Sequence, residues 1–237
     1  MAGEEQGAGL RGKSELTQRV ISASVMAVAA IAIAWYGSWP FALIWCVLAA
    51  AVAYEWGRIV RTGNGSVQWL ATGLVYAFLL ALCTILVRGQ GSLGFVAILY
   101  MFAVVWMTDI GAYFAGRTFG GPKFAPTISP KKTWSGVIGG LAAGTLCSLA
   151  VLKFAGLAIA PAHVILSLVL GITVVFGDLF ESFLKRRFGV KDAGSLIPGH
   201  GGFLDRLDGF IAAIIVAALV GVVRGGWANV PGGLLTW

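Results

Sequence analysis

Charged side chains are scarce in this chain of 237 residues: Lys, Arg, Asp and Glu make up only 11% of it, whereas 58% is hydrophobic. Such a composition excludes an ordinary soluble domain and is typical of a polytopic membrane protein. There are only three cysteines, an odd number within apolar runs, which argues against a disulfide framework. The net charge of +7 is accompanied by no aromatic-basic module, so we expect no nucleic-acid partner.

The apolar runs are continuous and long enough for membrane-spanning helices. We therefore expect an all-α transmembrane bundle of about seven spans, with six to nine possible. The predicted spans are 20–36, 40–56, 69–87, 93–110, 136–153, 162–180 and 207–224. The first is not followed by a small-residue cleavage site and a soluble domain, so we expect it to be retained as a helix.

The basic residues divide unevenly between the two sides of this arrangement. With a cytoplasmic N-terminus, all but three of the 17 Lys and Arg residues lie on the cytoplasmic side. The exceptions are Arg88, Lys153 and Arg224. The positive-inside rule therefore predicts a cytoplasmic N-terminus and cytoplasmic loops at 111–135 and 181–206. We divide the chain into an N-terminal segment with its first spans, 1–92, and a catalytic transmembrane domain, 93–237.

Three glycines recur every four residues in one predicted span, at Gly136, Gly140 and Gly144. Small residues at this spacing let two helix backbones approach closely. The pattern fits a homodimer interface and close packing within one bundle equally well.

Carboxylates stand at the ends of predicted spans. Asp109 follows the core of the fourth span, and Asp178 that of the sixth. Asp205 and Asp208 are three residues apart, which places them on one face if the last helix begins there. Carboxylate oxygens suit Mg²⁺, so these residues predict a magnesium site, with a second cation possible. For any one of them, ending a helix or complementing its dipole is an alternative.

Two basic clusters lie in the predicted cytoplasmic loops. They comprise Lys131, Lys132, Lys185, Arg186, Arg187 and Lys191. The positive-inside rule alone could explain some of them. His200 lies in the glycine-rich turn IPGHGGF, whose amides could approach an anion, although the histidine could equally cap the turn. Carboxylates for a metal beside cations for phosphate suit phosphoryl or nucleotidyl transfer.

The stretch from Ser182 to Asp208, SFLKRRFGVKDAGSLIPGHGGFLDRLD, closely resembles the signature of the phosphatidate cytidylyltransferase family, also called CDP-diacylglycerol synthases. It matches S-x-x-K-R-x4-K-D-x-G-x2-[hydrophobic]-P-x-H-G-G-x-x-D-R-x-D throughout. DIGAYFAGRTFG and SPKKTWSG, further upstream, are also similar to family elements. The resemblance implies that CTP and phosphatidic acid are converted to CDP-diacylglycerol and pyrophosphate with Mg²⁺. It also implies an active site on the cytoplasmic side of the cell (inner) membrane.

Residue types and the resemblance together suggest roles for individual side chains. Metal coordination is expected of Asp178, Asp205 and Asp208, with Asp109 as a weaker candidate. The catalytic set is expected to be Asp178, Asp205, Asp208, Lys185 and His200. The residues expected to bind substrate are Ser129, Lys131, Lys132, Thr133, Ser182, Arg186, Lys191, Gly201, Gly202 and Arg206.

Two alternatives remain. Asp205, Asp208 and Gly209 mimic the start of the D-x2-D-G motif of CDP-alcohol phosphotransferases, which need further carboxylates on the next helix. The chain has no Asp or Glu after Asp208, which counts against that class. An anion transporter would place polar residues along several spans, whereas the charges here cluster at one face.

Overall fold

Apolar helices carry most of the described chain, and six of them are long enough to cross a membrane. The computed structural model describes residue 22 and residues 24–194 and 201–237. A shorter helix, α1 (Ser24–Tyr36), precedes the six long ones. These are α2 (Ser38–Thr62), α3 (Val67–Arg88), α4 (Gly91–Phe119), α5 (Trp134–Phe154), α6 (Pro161–Arg187) and α7 (Leu204–Gly225). The predicted all-α transmembrane bundle is confirmed.

Helical structure extends into both ends of the predicted loops 111–135 and 181–206. Helix α4 continues to Phe119, α6 continues to Arg187, and α7 begins at Leu204. Hydropathy marks where a helix leaves the apolar layer, whereas the helix itself ends further on. Lysine and arginine are good helix formers and favour the negative end of the helix dipole, where α6 carries three of them.

A small β-hairpin, which the sequence did not predict, lies between α4 and α5 within the predicted loop 111–135. Strands β1 (Lys123–Ala125) and β2 (Ser129–Thr133) pair antiparallel. Thr133 ends the hairpin and caps α5, because its hydroxyl accepts a hydrogen bond from the Gly136 amide at 3.2 Å. The Arg186 side chain donates to the Ile128 carbonyl and so ties the hairpin to the end of α6. The hairpin is thereby held beside the charged end of α6.

The glycine face of α5 is used within the chain. A Cβ atom at Gly136 would lie 2.9 Å from the Ala112 carbonyl oxygen of α4, and one at Gly140 only 2.5 Å from the Thr108 carbonyl. The two helices approach so closely that larger residues would collide. Of the two interpretations of the pattern, the structure supports packing within one bundle, and the glycines lend no support to a homodimer.

Two of the three basic residues predicted on the far side have local partners. Arg88 is buried, and its guanidinium donates to the Ala34 carbonyl at 2.7 Å and the Trp35 carbonyl at 3.3 Å. Arg224 lies over the Trp237 ring at 3.4 Å and donates to the Thr236 carbonyl at 2.9 Å. These exceptions therefore anchor neighbouring segments, including the terminal helix α8 (Val230–Leu235).

Helix α7 contacts α2, α3, α4, α6 and α8. Within its first half, Phe210 is buried and stacks on Trp45 of α2 with 5.1 Å between ring centroids. Because α6 packs beside α7, the C-terminal half of α6 and the N-terminal end of α7 bring their charged residues together.

Candidate active site

Three carboxylates meet where α6 packs against α7. Asp178 and Glu181 lie one helical turn apart on α6, and Asp208 comes from α7. One oxygen of each lies within 4.8 Å of one oxygen of both others. We call these three residues the acidic cluster.

Two glycines allow the helices that carry the acidic cluster to come this close. A Cβ atom at Gly177 of α6 would lie 2.6 Å from the Asp208 carbonyl oxygen. A Cβ atom at Gly209 of α7 would lie 2.8 Å from the Val174 side chain and 3.2 Å from its carbonyl oxygen. Each glycine stands directly beside a cluster carboxylate in sequence, so a larger residue there would push the carboxylates apart.

Lysines from two elements balance part of this negative charge. Lys132 of β2 places its ammonium 2.6 Å from an Asp178 oxygen. Lys185 of α6 lies 2.8 Å from Glu181 and 2.8 Å from Asp205, so it bridges two carboxylates. At these separations opposite charges attract strongly where water is partly excluded. The Lys132 contact also brings the hairpin segment 129–133 to the acidic end of α6.

Glu181 was not among the predicted site residues. It is 3% exposed, and its Oε1 is buried without a hydrogen-bond partner in the described part of the chain. A sequence signal was present, because Glu181 follows Asp178 by three residues and precedes Lys185 by four, which places all three on one helical face. The predicted span ends at residue 180, one residue before Glu181.

Asp205 has a different environment from the acidic cluster. Besides Lys185, its carboxylate accepts hydrogen bonds from the amides of Gly202 at 2.9 Å and Ala193 at 3.1 Å. The three-residue spacing to Asp208 does fall within one helix, as expected. Its contacts nevertheless join α6 to the chain on both sides of residues 195–200, outside the group of three carboxylates.

Asp109 lies on α4, inside the helix that was expected to end near it. Its side chain is exposed, and its charge interacts with those of Asp178, Lys132 and Asp208. It therefore flanks the acidic cluster without belonging to it.

A cavity of about 500 Å³ opens beside Lys185, between the hairpin and the end of α6. Its lining includes four basic side chains and two serines, and comprises Ile128, Ser129, Pro130, Lys131, Ser182, Lys185, Arg186, Gly189, Val190 and Lys191. Six of the predicted substrate or catalytic residues thus line one cavity. We call it the basic cavity. Its volume lies in the range of small-molecule sites.

Of the other predicted site residues, the described ones lie on α6, at the start of α5 and near the start of α7. Ser182 donates to Asp178 at 3.5 Å, and Thr133 is buried as the cap of α5. Gly201 has a φ of +85°, which favours glycine, and Arg206 is exposed on the first turn of α7. His200 lies outside the described residues.

A membrane helix bundle with clustered carboxylates and a basic cavity at one end defines an integral membrane protein equipped for phosphate chemistry. The model of the Cytidylyltransferase family matches residues 68–223. The chain belongs to this cytidylyltransferase family and is accordingly a nucleotidyltransferase.

Curated relatives extend the similarity over most of the chain. A phosphatidate cytidylyltransferase of Brucella suis biovar 1 is 38% identical over 89% of this chain and 94% of its own length. The enzyme of that name from Rickettsia bellii is 34% identical over 88% of this chain and 92% of its own length. A third, from Haemophilus influenzae, is 45% identical over 51% of this chain and 44% of its own length.

Proposed function

We propose that this protein transfers the cytidylyl group of CTP to phosphatidate at the end of the bundle that holds the acidic cluster and the basic cavity. A phosphatidate phosphate oxygen bonds to the α-phosphorus of CTP, and the bond from that phosphorus to the β-phosphate oxygen breaks. The products are CDP-diacylglycerol and pyrophosphate. The acidic cluster beside a basic cavity carries this proposal, together with the relatives named for this activity.

No protein nucleophile is required for this reaction. The phosphate monoester of phosphatidate carries most of its second negative charge at neutral pH and is itself the attacking group. The protein has to hold two anionic substrates in line and offset the charge that develops on the departing pyrophosphate. Cations around a cavity perform both tasks.

The acidic cluster fits a divalent cation, and we assign Mg²⁺ to it. All its donors are carboxylate oxygens from a rigid helix pair, and the buried Oε1 of Glu181 has no other described partner. Asp178, Glu181 and Asp208 would hold the ion, and Asp109, whose charge interacts with that of Asp178, would act on a second cation. When bound, Mg²⁺ would neutralise phosphate oxygens of CTP and of the pyrophosphate.

The basic cavity is assigned to the phosphates of CTP. Lys131, Arg186 and Lys191 line it, and the Ser129 and Ser182 hydroxyls can donate hydrogen bonds to phosphate oxygens. Of the remaining predicted residues, we assign His200 and Arg206 to phosphate binding. Lys132 and Lys185 already contact carboxylates, so their first task is to hold the acidic residues in place.

The site is assigned to the cytoplasmic face of the inner membrane. Three basic residues stand in the last turn of α6, which carries part of the site, as the positive-inside rule expects of a cytoplasmic surface. CTP would reach the basic cavity from the cytosol, while phosphatidate would enter laterally from the bilayer.

The proposed activity is tested by supplying labelled CTP and phosphatidate to membranes that contain the protein. We expect a labelled lipid that co-migrates with CDP-diacylglycerol, dependent on Mg²⁺ and abolished by a chelator. A CDP-alcohol phosphotransferase would instead consume CDP-diacylglycerol and release CMP. A folded preparation that forms no CDP-lipid from CTP would contradict the proposal.

The same assay reports sidedness when sealed vesicles of both orientations are compared. CTP added outside inside-out vesicles should be consumed, whereas CTP added outside right-side-out vesicles should not. Permeabilisation should equalise the two. Equal rates in intact vesicles of both orientations would contradict a cytoplasmic site.

A further inference from the structure

Another carboxylate lies completely buried beneath the start of α7. Glu55 belongs to α2 and is 0% exposed. Its Oε1 accepts a hydrogen bond from the Phe203 amide at 3.1 Å, and its Oε2 accepts one from the Leu204 amide at 2.8 Å. A carboxylate is costly to bury, and two backbone donors at a helix N-terminus are a strong means of stabilising it.

These contacts replace a cap that the local sequence lacks. Phe203 occupies the N-cap position of α7 and has no side-chain oxygen to bond the first amides of the helix. The first four amides of a helix have no partner within it and form the positive end of its dipole. Glu55, 148 residues earlier in the chain than Phe203, supplies both the acceptor and the charge.

The glycines of the signature accommodate this carboxylate. A Cβ atom at Gly202 would lie 2.6 Å from Oε2 of Glu55, and one at Gly194 would also collide with that carboxylate. In the predicted glycine-rich turn, the Gly202 amide donates to Asp205, and the missing Cβ of Gly202 leaves room for the Glu55 carboxylate.

We propose that Glu55 is a positioning residue, which fixes the N-terminal end of α7 and thereby sets where Asp205 and Asp208 stand against α6. Asp205 lies one residue beyond Leu204, and Asp208 one further turn along. A shift of α7 would therefore move Asp208 relative to Asp178 and Glu181. Glu55 also lies outside residues 68–223, so a helix beyond the family match completes the site.

The proposal rests on the proposed function only for its kinetic consequence. Glu55→Gln keeps the shape but turns an NH₂ group toward one of the two amide donors, and Glu55→Ala removes both acceptors. We expect kcat to fall about tenfold for Glu55→Gln and about 10² for Glu55→Ala, since misplacement by about 1 Å has such effects. The KM values for CTP and phosphatidate should stay near wild type, because the basic cavity is untouched.

A second readout does not depend on activity. Hydrogen–deuterium exchange of the peptide spanning 201–210 should be faster in Glu55→Gln than in the wild type, because Phe203 or Leu204 loses its acceptor. Thr84→Val is the matched control. Thr84 is buried too, but among the described residues its hydroxyl bonds only its own helix, at the Leu80 carbonyl. That variant should leave both the exchange of 201–210 and kcat near wild type.

Gly202→Ala supplies an independent test of the same contact. Its methyl group would displace the Glu55 carboxylate, so Gly202→Ala combined with Glu55→Gln should cost little more than the worse single variant. Additive losses in kcat would overturn the proposal. So would wild-type exchange and kcat in Glu55→Gln, or equal losses in Thr84→Val. If the wild type forms no CDP-lipid, the proposed function fails, while the exchange comparison still decides the role of Glu55.

Discussion

Asp208→Asn should lower kcat for CDP-diacylglycerol formation by at least about 10², the size of effect seen when one electrostatic contact to a transition state is lost. The variant should still fold. The Oδ1 of Asp208 accepts a hydrogen bond from the Gly209 amide at 2.7 Å, and an asparagine oxygen can accept the same bond. Removing one negative charge from the acidic cluster also reduces repulsion between its members.

Kinetics of the purified variant in detergent, with its melting temperature, check this prediction. Asp192→Asn makes the same chemical change at an exposed aspartate outside the acidic cluster, so it should cost at least about tenfold less. A near-native rate for folded Asp208→Asn would remove Asp208 from the reaction. Equal losses in both variants would show that the effect is not specific to the cluster.

Lys185→Met should destabilise the protein and abolish its activity. The Lys185 ammonium lies 2.8 Å from both Glu181 and Asp205, and its side chain is 19% exposed. Without Lys185, the two largely buried carboxylates of Glu181 and Asp205 lose the positive charge that lies between them. Breaking a buried pair costs about 3–5 kcal/mol, and partial exposure places Lys185 near the lower end, at about 3 kcal/mol.

The loss should appear as a lower melting temperature in detergent. Lys153→Met, which removes an exposed lysine from the last turn of α5, should leave the melting temperature unchanged. Adding Glu181→Gln to Lys185→Met should restore part of the stability, because one uncompensated carboxylate is removed, but not the activity. A Lys185→Met protein as stable as the wild type would show that the bridge is not needed for folding.

The helices could be predicted because their cause is local. Continuous apolar runs identified the six long helices, and the glycine face of α5 indicated a close helix contact. Helix ends were harder to predict from the sequence, because the charged last turn of α6 is still helical although it is not apolar. The hairpin was not predicted. It is held in place by a hydrogen bond between residues far apart in the chain, from the Arg186 side chain to the Ile128 carbonyl.

Site residues could be predicted where their residue type and their neighbours in the sequence indicated a function. Asp178 and Asp208 were predicted from carboxylates at span ends, and both lie in the acidic cluster. The i,i+3 spacing placed Asp205 and Asp208 on one helix but could not show that Lys185 and two amides surround Asp205. Glu55 carried no local signal, since its partners are backbone amides far along the chain.

The account depends most on the acidic cluster as a divalent-cation site, and Mn²⁺ binding measured by electron paramagnetic resonance tests it directly. The purified wild-type protein should bind Mn²⁺, and Mg²⁺ should compete for it. Asp208→Asn and Glu181→Gln should each weaken this binding by at least about tenfold, a typical loss when a group that supports a metal is removed. Asp192→Asn, at an exposed aspartate outside the cluster, should keep it. Unchanged Mn²⁺ affinity in Asp208→Asn and Glu181→Gln would contradict the account.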